Sequence, residues 1–260
     1  SFALHLMYTM AQRFYEKSHQ YFSKYIVQRF GYFNTLQSIA GASEASGFPI
    51  NYLMTMKKGK QLCGKILTPI MAAGLIMNLF INKNTPLWVI IIAIFLYNFG
   101  FSGPGFTATN IQPDVTDVDE MITGRRREGV ISTFNTLIKK TINGLMSAFT
   151  GFILNGFGLR TGAENANALE QTAKGIFGLR LTYCILPLIF VALVYVCVFT
   201  YKMTREDHKM IIEAIKEKKE TGRCTLTPEQ IKRCEEIAGQ SFGDMWIGRP
   251  SADTLFAELD

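Results

Sequence analysis

The sequence predicts an all-α membrane protein with six transmembrane helices, and three observations carry that prediction. First, residues 66–81, 88–112 and 181–200 are nearly free of charge. The latter two runs are long enough to cross about 30 Å of hydrocarbon, which takes roughly 20 helical residues. Second, a backbone in lipid must satisfy its own hydrogen bonds, which leaves helices or a closed barrel. No alternating strand pattern recurs to support a barrel. Third, the formal charge of +6 is uneven, with the basic excess at residues 57–65, 125–127 and after Lys202. In a membrane protein such clusters read as the positive-inside bias of cytoplasmic loops. The expected partner is therefore the lipid bilayer and not nucleic acid.

Six stretches qualify as spans: residues 2–27, 34–56, 62–81, 87–112, 130–154 and 176–201. They make up a bundle over residues 1–202, with a cytoplasmic tail over 203–260. The connectors alternate. Residues 57–60 and 114–127 are rich in charge, residues 82–86 are short and less basic, and residues 160–174 are polar and mixed. Placing the basic connectors inside puts both ends of the bundle in the cytoplasm. The chain opens on Ser1 with no signal segment and is expected to be part of a longer polypeptide or a processed product.

Span one carries Gln12, Arg13, Glu16, Lys17, His19, Gln20 and Lys24 among aromatic and aliphatic residues. A charge at the bilayer centre costs about 2.5–3.5 kcal/mol, so these groups need a polar cavity or internal pairing. Arg13 and Lys17 share a helix face, and Glu16 is placed to pair with Arg13. Two readings fit: a helix lining a hydrophilic cavity, or an amphipathic helix on the membrane surface. Span two runs Gly41-Ala42-Ser43-Glu44-Ala45-Ser46-Gly47, small residues that permit close helix packing. Glu44 then faces a cavity or is neutralised by a neighbouring helix.

In span four, Gly100, Gly103, Pro104 and Gly105 invite a kink. Broken helices line many transport sites; a harmless bend is the alternative. Span five holds Lys139 and Lys140 near the bilayer middle. They lie about 100° apart on the helix, so one faces inward while the other snorkels or sits at a helix interface.

Beyond residue 201 the chain turns polar. Residues 205–219 read as a charged helix, and Thr227-Pro228-Glu229 starts a second one, with Thr227 as N-cap. That helix ends near Gly239, and a loosely ordered chain is expected from Gln240. The five cysteines form no CxxC pair, so neither a disulfide framework nor a metal site is expected. With only His5, His19 and His208 available, no Ser/His/Asp set, HExxH helix or Walker loop points to an enzyme.

The most informative stretch runs from Pro113 to Gly129. Asp114, Asp117 and Glu120 recur every three residues on one helix face, followed by Arg125, Arg126 and Arg127. Such charges form ion-pair clasps that close in one conformation and open in another. With six spans around it, this stretch resembles the glycoside–pentoside–hexuronide:cation symporters, the melibiose-permease-like branch of the major facilitator superfamily. That family has an Asp-x-x-Asp-x-x-Glu run between helices ten and eleven. A Thr-Gly-x-Arg-x-Glu-Gly pattern follows, matched here by Thr123, Gly124, Arg126, Glu128 and Gly129, with a lysine matched by Lys140. The basic loop at Lys57–Lys60 and the segment Leu226-Thr227-Pro228-Glu229 also resemble the family.

The resemblance implies helices seven to twelve of twelve: half of a secondary transporter for a sugar or glycoside, coupled to sodium or protons, in the plasma membrane. It implies a coupling cation bound mainly by a separate N-terminal six-helix half, which becomes an expected partner, and no resident cofactor or metal. Lys140, Arg13, Glu16, Lys17 and Glu44 are the expected cavity or coupling residues. Asp114, Asp117, Glu120 and Arg126 are the expected cytoplasmic gate. The rival readings are a non-transporting or truncated scaffold and a related carrier for another solute.

Overall fold

A computed structural model describes residues 2–160, 170–201 and 203–250. Residues 161–169 of the mixed connector, Lys202 and the last ten residues of the tail lie outside the described residues. The described elements are helical. They are α1 (Phe2–Phe22), α2 (Phe33–Lys58), α3 (Gln61–Phe80), α4 (Leu87–Thr123), α5 (Glu128–Gly156), α6 (Ala173–Arg180), α7 (Leu186–Thr200), α8 (Arg205–Thr221) and α9 (Pro228–Ala238). A π-turn, Leu181–Ile185, joins α6 to α7, and another, Ser23–Val27, closes α1. Helix thus covers each of the six predicted stretches. Among the described residues, three helices are long and apolar enough by composition to cross a membrane: Gln61–Phe80, Leu87–Thr123 and Ala173–Thr200. They cover residues 66–80, 88–112 and 181–200, the charge-poor runs of the sequence save for Ile81.

By internal contacts the chain divides into two compact units. The first comprises residues 1–109 and 136–200. Within it, α1 and α3 both pack on α7, and α2 packs on α3. Glycine sets how closely α3 and α4 approach: a Cβ on Gly74 would strike the Tyr97 backbone, and one on Gly100 the Met71 backbone. The aromatic centre of this unit stacks Tyr15 on Tyr97 at 3.7 Å, Tyr15 on Tyr183 at 4.5 Å and Phe22 on Tyr183 at 4.0 Å between ring centroids. Helix α5 buries a single stripe of Ile142, Met146, Thr150 and Leu154. Leu137, Leu145, Phe149 and Phe152 on its other faces are exposed, as suits lipid or another helical layer.

Two expectations are corrected. The Gly100–Gly105 stretch does not break the helix, since α4 runs unbroken from Leu87 to Thr123. Gly100 and Gly103 instead admit α3 at Met71, Leu67 and Cys63, and Gly105 admits the Tyr8 side chain of α1, the close approach that small residues permit. The chain after Gln240 is not loose as far as Arg249. It makes two 3₁₀ turns, Phe242–Asp244 and Trp246–Gly248. Met245 and Ile247 there are fully buried.

The second unit comprises residues 110–135 and 201–260. Helices α8 and α9 each start on a capping box, Thr204 with Asp207 and Thr227 with Gln230, and each ends on a left-handed glycine, Gly222 and Gly239. Met121, Met203, Ile211, Ile215, Cys234, Met245 and Ile247 form its core. Gly124 has φ +70° and lies against the Trp246 indole, where a Cβ would not fit.

Candidate substrate cavity and gate

Helices α1, α2 and α4 enclose a cavity of about 330 Å³, a size that suits a small ligand. From α1 come Gln12, Tyr15, Glu16, Lys17, His19 and Gln20. Counted from Gln12, Tyr15, Glu16, His19 and Gln20 fall three, four, seven and eight residues along, one stripe of an α-helix, with Lys17 at its edge. From α2 come Phe33, Gln37, Gly41 and Glu44, again a single stripe, and from α4 come Tyr97, Asn98 and Phe101. The lining therefore combines four amides, two carboxylates and an ammonium with aromatic rings.

Charge inside this cavity is partly compensated. Arg13 Nη1 donates to Glu16 Oε2 at 2.6 Å, and Gln12 Nε2 donates to Glu16 Oε1 at 2.8 Å. Both Glu16 oxygens are thus occupied, as the spacing of Arg13 and Glu16 predicts. Glu44 is half-buried. No ion pair engages it among the described residues. His19 is 4% exposed. Its Nδ1 lies 2.9 Å from the Tyr183 hydroxyl in the π-turn. Through Tyr183 the π-turn thus holds His19, a residue of the cavity wall, in keeping with the frequent use of such turns at functional sites.

In the second unit, the acidic run forms a separate constellation at the end of α4. Asp114, Asp117 and Glu120 are 2%, 8% and 1% exposed. Arg126 Nη1 lies 3.5 Å from Asp117 Oδ1 and 3.2 Å from Glu120 Oε2. The Tyr201 hydroxyl donates to Asp114 Oδ2 at 2.6 Å. His208 Nε2 lies 2.8 Å from Asp117 Oδ2 and 3.3 Å from Asp114 Oδ1. Lys219 Nζ donates to Glu120 Oε1. Among the described residues no group of three or more His, Cys, Asp and Glu is arranged to hold a metal ion.

The profile of the family described as MFS/sugar transport protein matches residues 2–205. The chain belongs to that family. A comparison with curated proteins finds no match. Membership in the major facilitator superfamily makes this a membrane transport protein in general terms, and its three strongly apolar helices agree.

In this family member the predicted site residues separate into two groups. Glu16, Lys17 and Glu44 line the cavity, and Arg13 reaches it through Glu16. Lys140 is not on that lining; it and Lys139 are exposed on α5. Asp114, Asp117, Glu120 and Arg126 come together as one cluster. The sequence reading missed Gln37, Tyr97 and Asn98 in the cavity. The signal was the run of polar residues at helical spacing, Gln12–Glu16–Gln20 and Gln37–Gly41–Glu44, which continues one stripe across two helices. It also missed Tyr201, His208 and Lys219, whose distance along the chain from the acidic run hides their role.

Proposed function

We propose that the chain is the C-terminal six-helix half of a cation-coupled symporter for a sugar or glycoside, working by alternating access in the plasma membrane. The cavity between α1, α2 and α4 carries this reading. Amides and carboxylates beside flat aromatic rings suit a polyhydroxylated ligand, which offers donors and acceptors along its edges and apolar C–H groups on its faces. On this reading α1, α2, α5 and the α6–α7 pair cross the bilayer with α3 and α4, giving six spans and a cytoplasmic tail. The exposed apolar faces of α2 and α5 then meet lipid or the other half of the carrier. That half supplies most of the coupling site for sodium or a proton. Residues 1–202 are the bundle and residues 203–260 the tail.

Glu44 is the carboxylate most open to a ligand or cation, because Arg13 and Gln12 already engage Glu16. The test is uptake by the complete carrier, reconstituted in vesicles, of radiolabelled mono- and disaccharides under an imposed sodium or proton gradient. The expected result is gradient-driven accumulation of at least one sugar, reduced on the order of a hundredfold in Glu44→Gln. Absence of gradient-driven uptake for every sugar would favour a non-transporting scaffold. Uptake of a different solute class would leave the carrier and change its substrate.

A further inference from the structure

The acidic run at the end of α4 has six carboxylate oxygens, and all six meet a donor from this chain. Arg126 accounts for two of them, Asp117 Oδ1 and Glu120 Oε2. The tail supplies the partners of the other four: Tyr201 on Asp114 Oδ2, His208 on Asp114 Oδ1 and Asp117 Oδ2, and Lys219 on Glu120 Oε1. His208 Nε2 sits between the two aspartates, 2.8 Å from Asp117 Oδ2 and 3.3 Å from Asp114 Oδ1. These carboxylates are buried, so each requires such partners.

The contact is also patterned for register. His208, Ile211, Ile215 and Lys219 lie three, seven and eleven residues along α8 and form one stripe. Ile211 and Ile215 are buried in the same core as Met121 of α4. The charged ends of the stripe meet Asp117 and Glu120 on either side of that apolar middle. An apolar strip bounded by specific charge pairs admits one alignment and penalises others. Yet the fastening is not sealed: the side chains of Lys219 and Arg126 are 50% and 56% exposed. Such pairs can exchange with competing cations.

We propose that the chain's own C-terminal tail is the resident partner of the acidic run, latched there by Lys219, His208 and Tyr201. Undocking the tail removes Tyr201, His208 and Lys219 from Asp114, Asp117 and Glu120, which can then pair with basic groups of another helix bundle. Tyr201, His208 and Lys219 are therefore positioning residues of the gate. The gate role rests on the transporter reading, whereas the latch itself does not.

Amide hydrogen exchange on the 260-residue chain in detergent tests the latch without any transport. Lys219→Glu places a carboxylate against Glu120, and exchange should rise about tenfold across Arg205–Thr221 and residues 114–123. Protection in Gln61–Phe80 should stay unchanged, which reports that the first unit remains folded. Lys219→Arg should retain wild-type protection, because it keeps the cation that meets Glu120. Unchanged exchange in Lys219→Glu, or a rise in Lys219→Arg equal to that in Lys219→Glu, would overturn the latch. In reconstituted carrier, Lys219→Glu should alter uptake while Lys219→Arg keeps it. Uptake insensitive to Lys219→Glu, with the exchange results as expected, would detach the latch from gating. A carrier with no uptake at all would instead fail the transporter reading.

Discussion

Lys139 and Lys140 mark the limit of what a single chain reveals about a residue. Their neighbouring positions on α5 predict different surroundings, and both are exposed here. The family resemblance implies the interior role for Lys140, and we propose that carboxylates of the other half compensate its charge. In the complete carrier, Lys140→Ala should abolish cation-driven uptake while sugar binding persists, and Lys139→Ala should keep both. Normal coupled uptake in Lys140→Ala with loss in Lys139→Ala would reverse the assignment. Asp207 gives a prediction within the chain. The Arg233 hydrogen bonds, with the Thr204 cap, hold its carboxyl below the ordinary value of 3.8. A depressed carboxylate stabilises the folded form fully above its unfolded pKa, and the contribution is lost as pH falls through the folded value. The tie between α8 and α9 should therefore hold from neutral pH down to about 4 and weaken below it. Exchange in Pro228–Ala238 read against pH checks this, and Asp207→Asn should remove the dependence. Arg13 with Glu16 was legible from helical spacing alone. Tyr201 on Asp114 was not, because no local rule links residues so far apart in the chain.

At the scale of elements, the caps were readable and the packing glycines were misread. Thr227 and Pro228 announce α9, since a hydroxyl N-cap with proline at the first turn has one local meaning. Gly100 has two: it bends a helix or admits a neighbour. Its use here as a packing surface is decided by Met71 on α3, a tertiary fact. Gly100→Leu should therefore destabilise the first unit by about 1–3 kcal/mol through overpacking, seen as a lower melting temperature in detergent. Gly144→Leu, with open space at its Cβ, should melt as wild type. Equal melting of the two variants would refute the packing role. The turns over Phe242–Gly248 escaped the sequence reading for a related reason. Their apolar residues are few and irregularly spaced, and their burial depends on the core around Met121 and Ile211.

For the whole molecule, the six predicted stretches are all helical, but among the described residues only three of the helices are long and apolar enough by composition to cross a membrane. Among the weaker helices, α1 and α2 give one face to a polar cavity, and α5 carries Lys139 and Lys140 on exposed positions. A polar stripe lowers the average hydropathy of a helix that a windowed reading treats as uniform. The proposed topology puts the α4–α5 connector inside and the α3–α4 turn outside. Arg125→Cys should then be shielded from an impermeant maleimide added to intact cells, and Asn84→Cys should label. Strong outside labelling at position 125 would invert the orientation.

We propose that the cavity of α1, α2 and α4 is a transport site reached alternately from the two sides of the membrane. Gln37 lines that cavity, so Gln37→Cys in the complete carrier is the most direct probe. Sided labelling in oriented vesicles should modify it from either face, with the coupling cation and sugar changing the balance between the two rates. Labelling from one face alone under every condition, or from neither, would contradict the account.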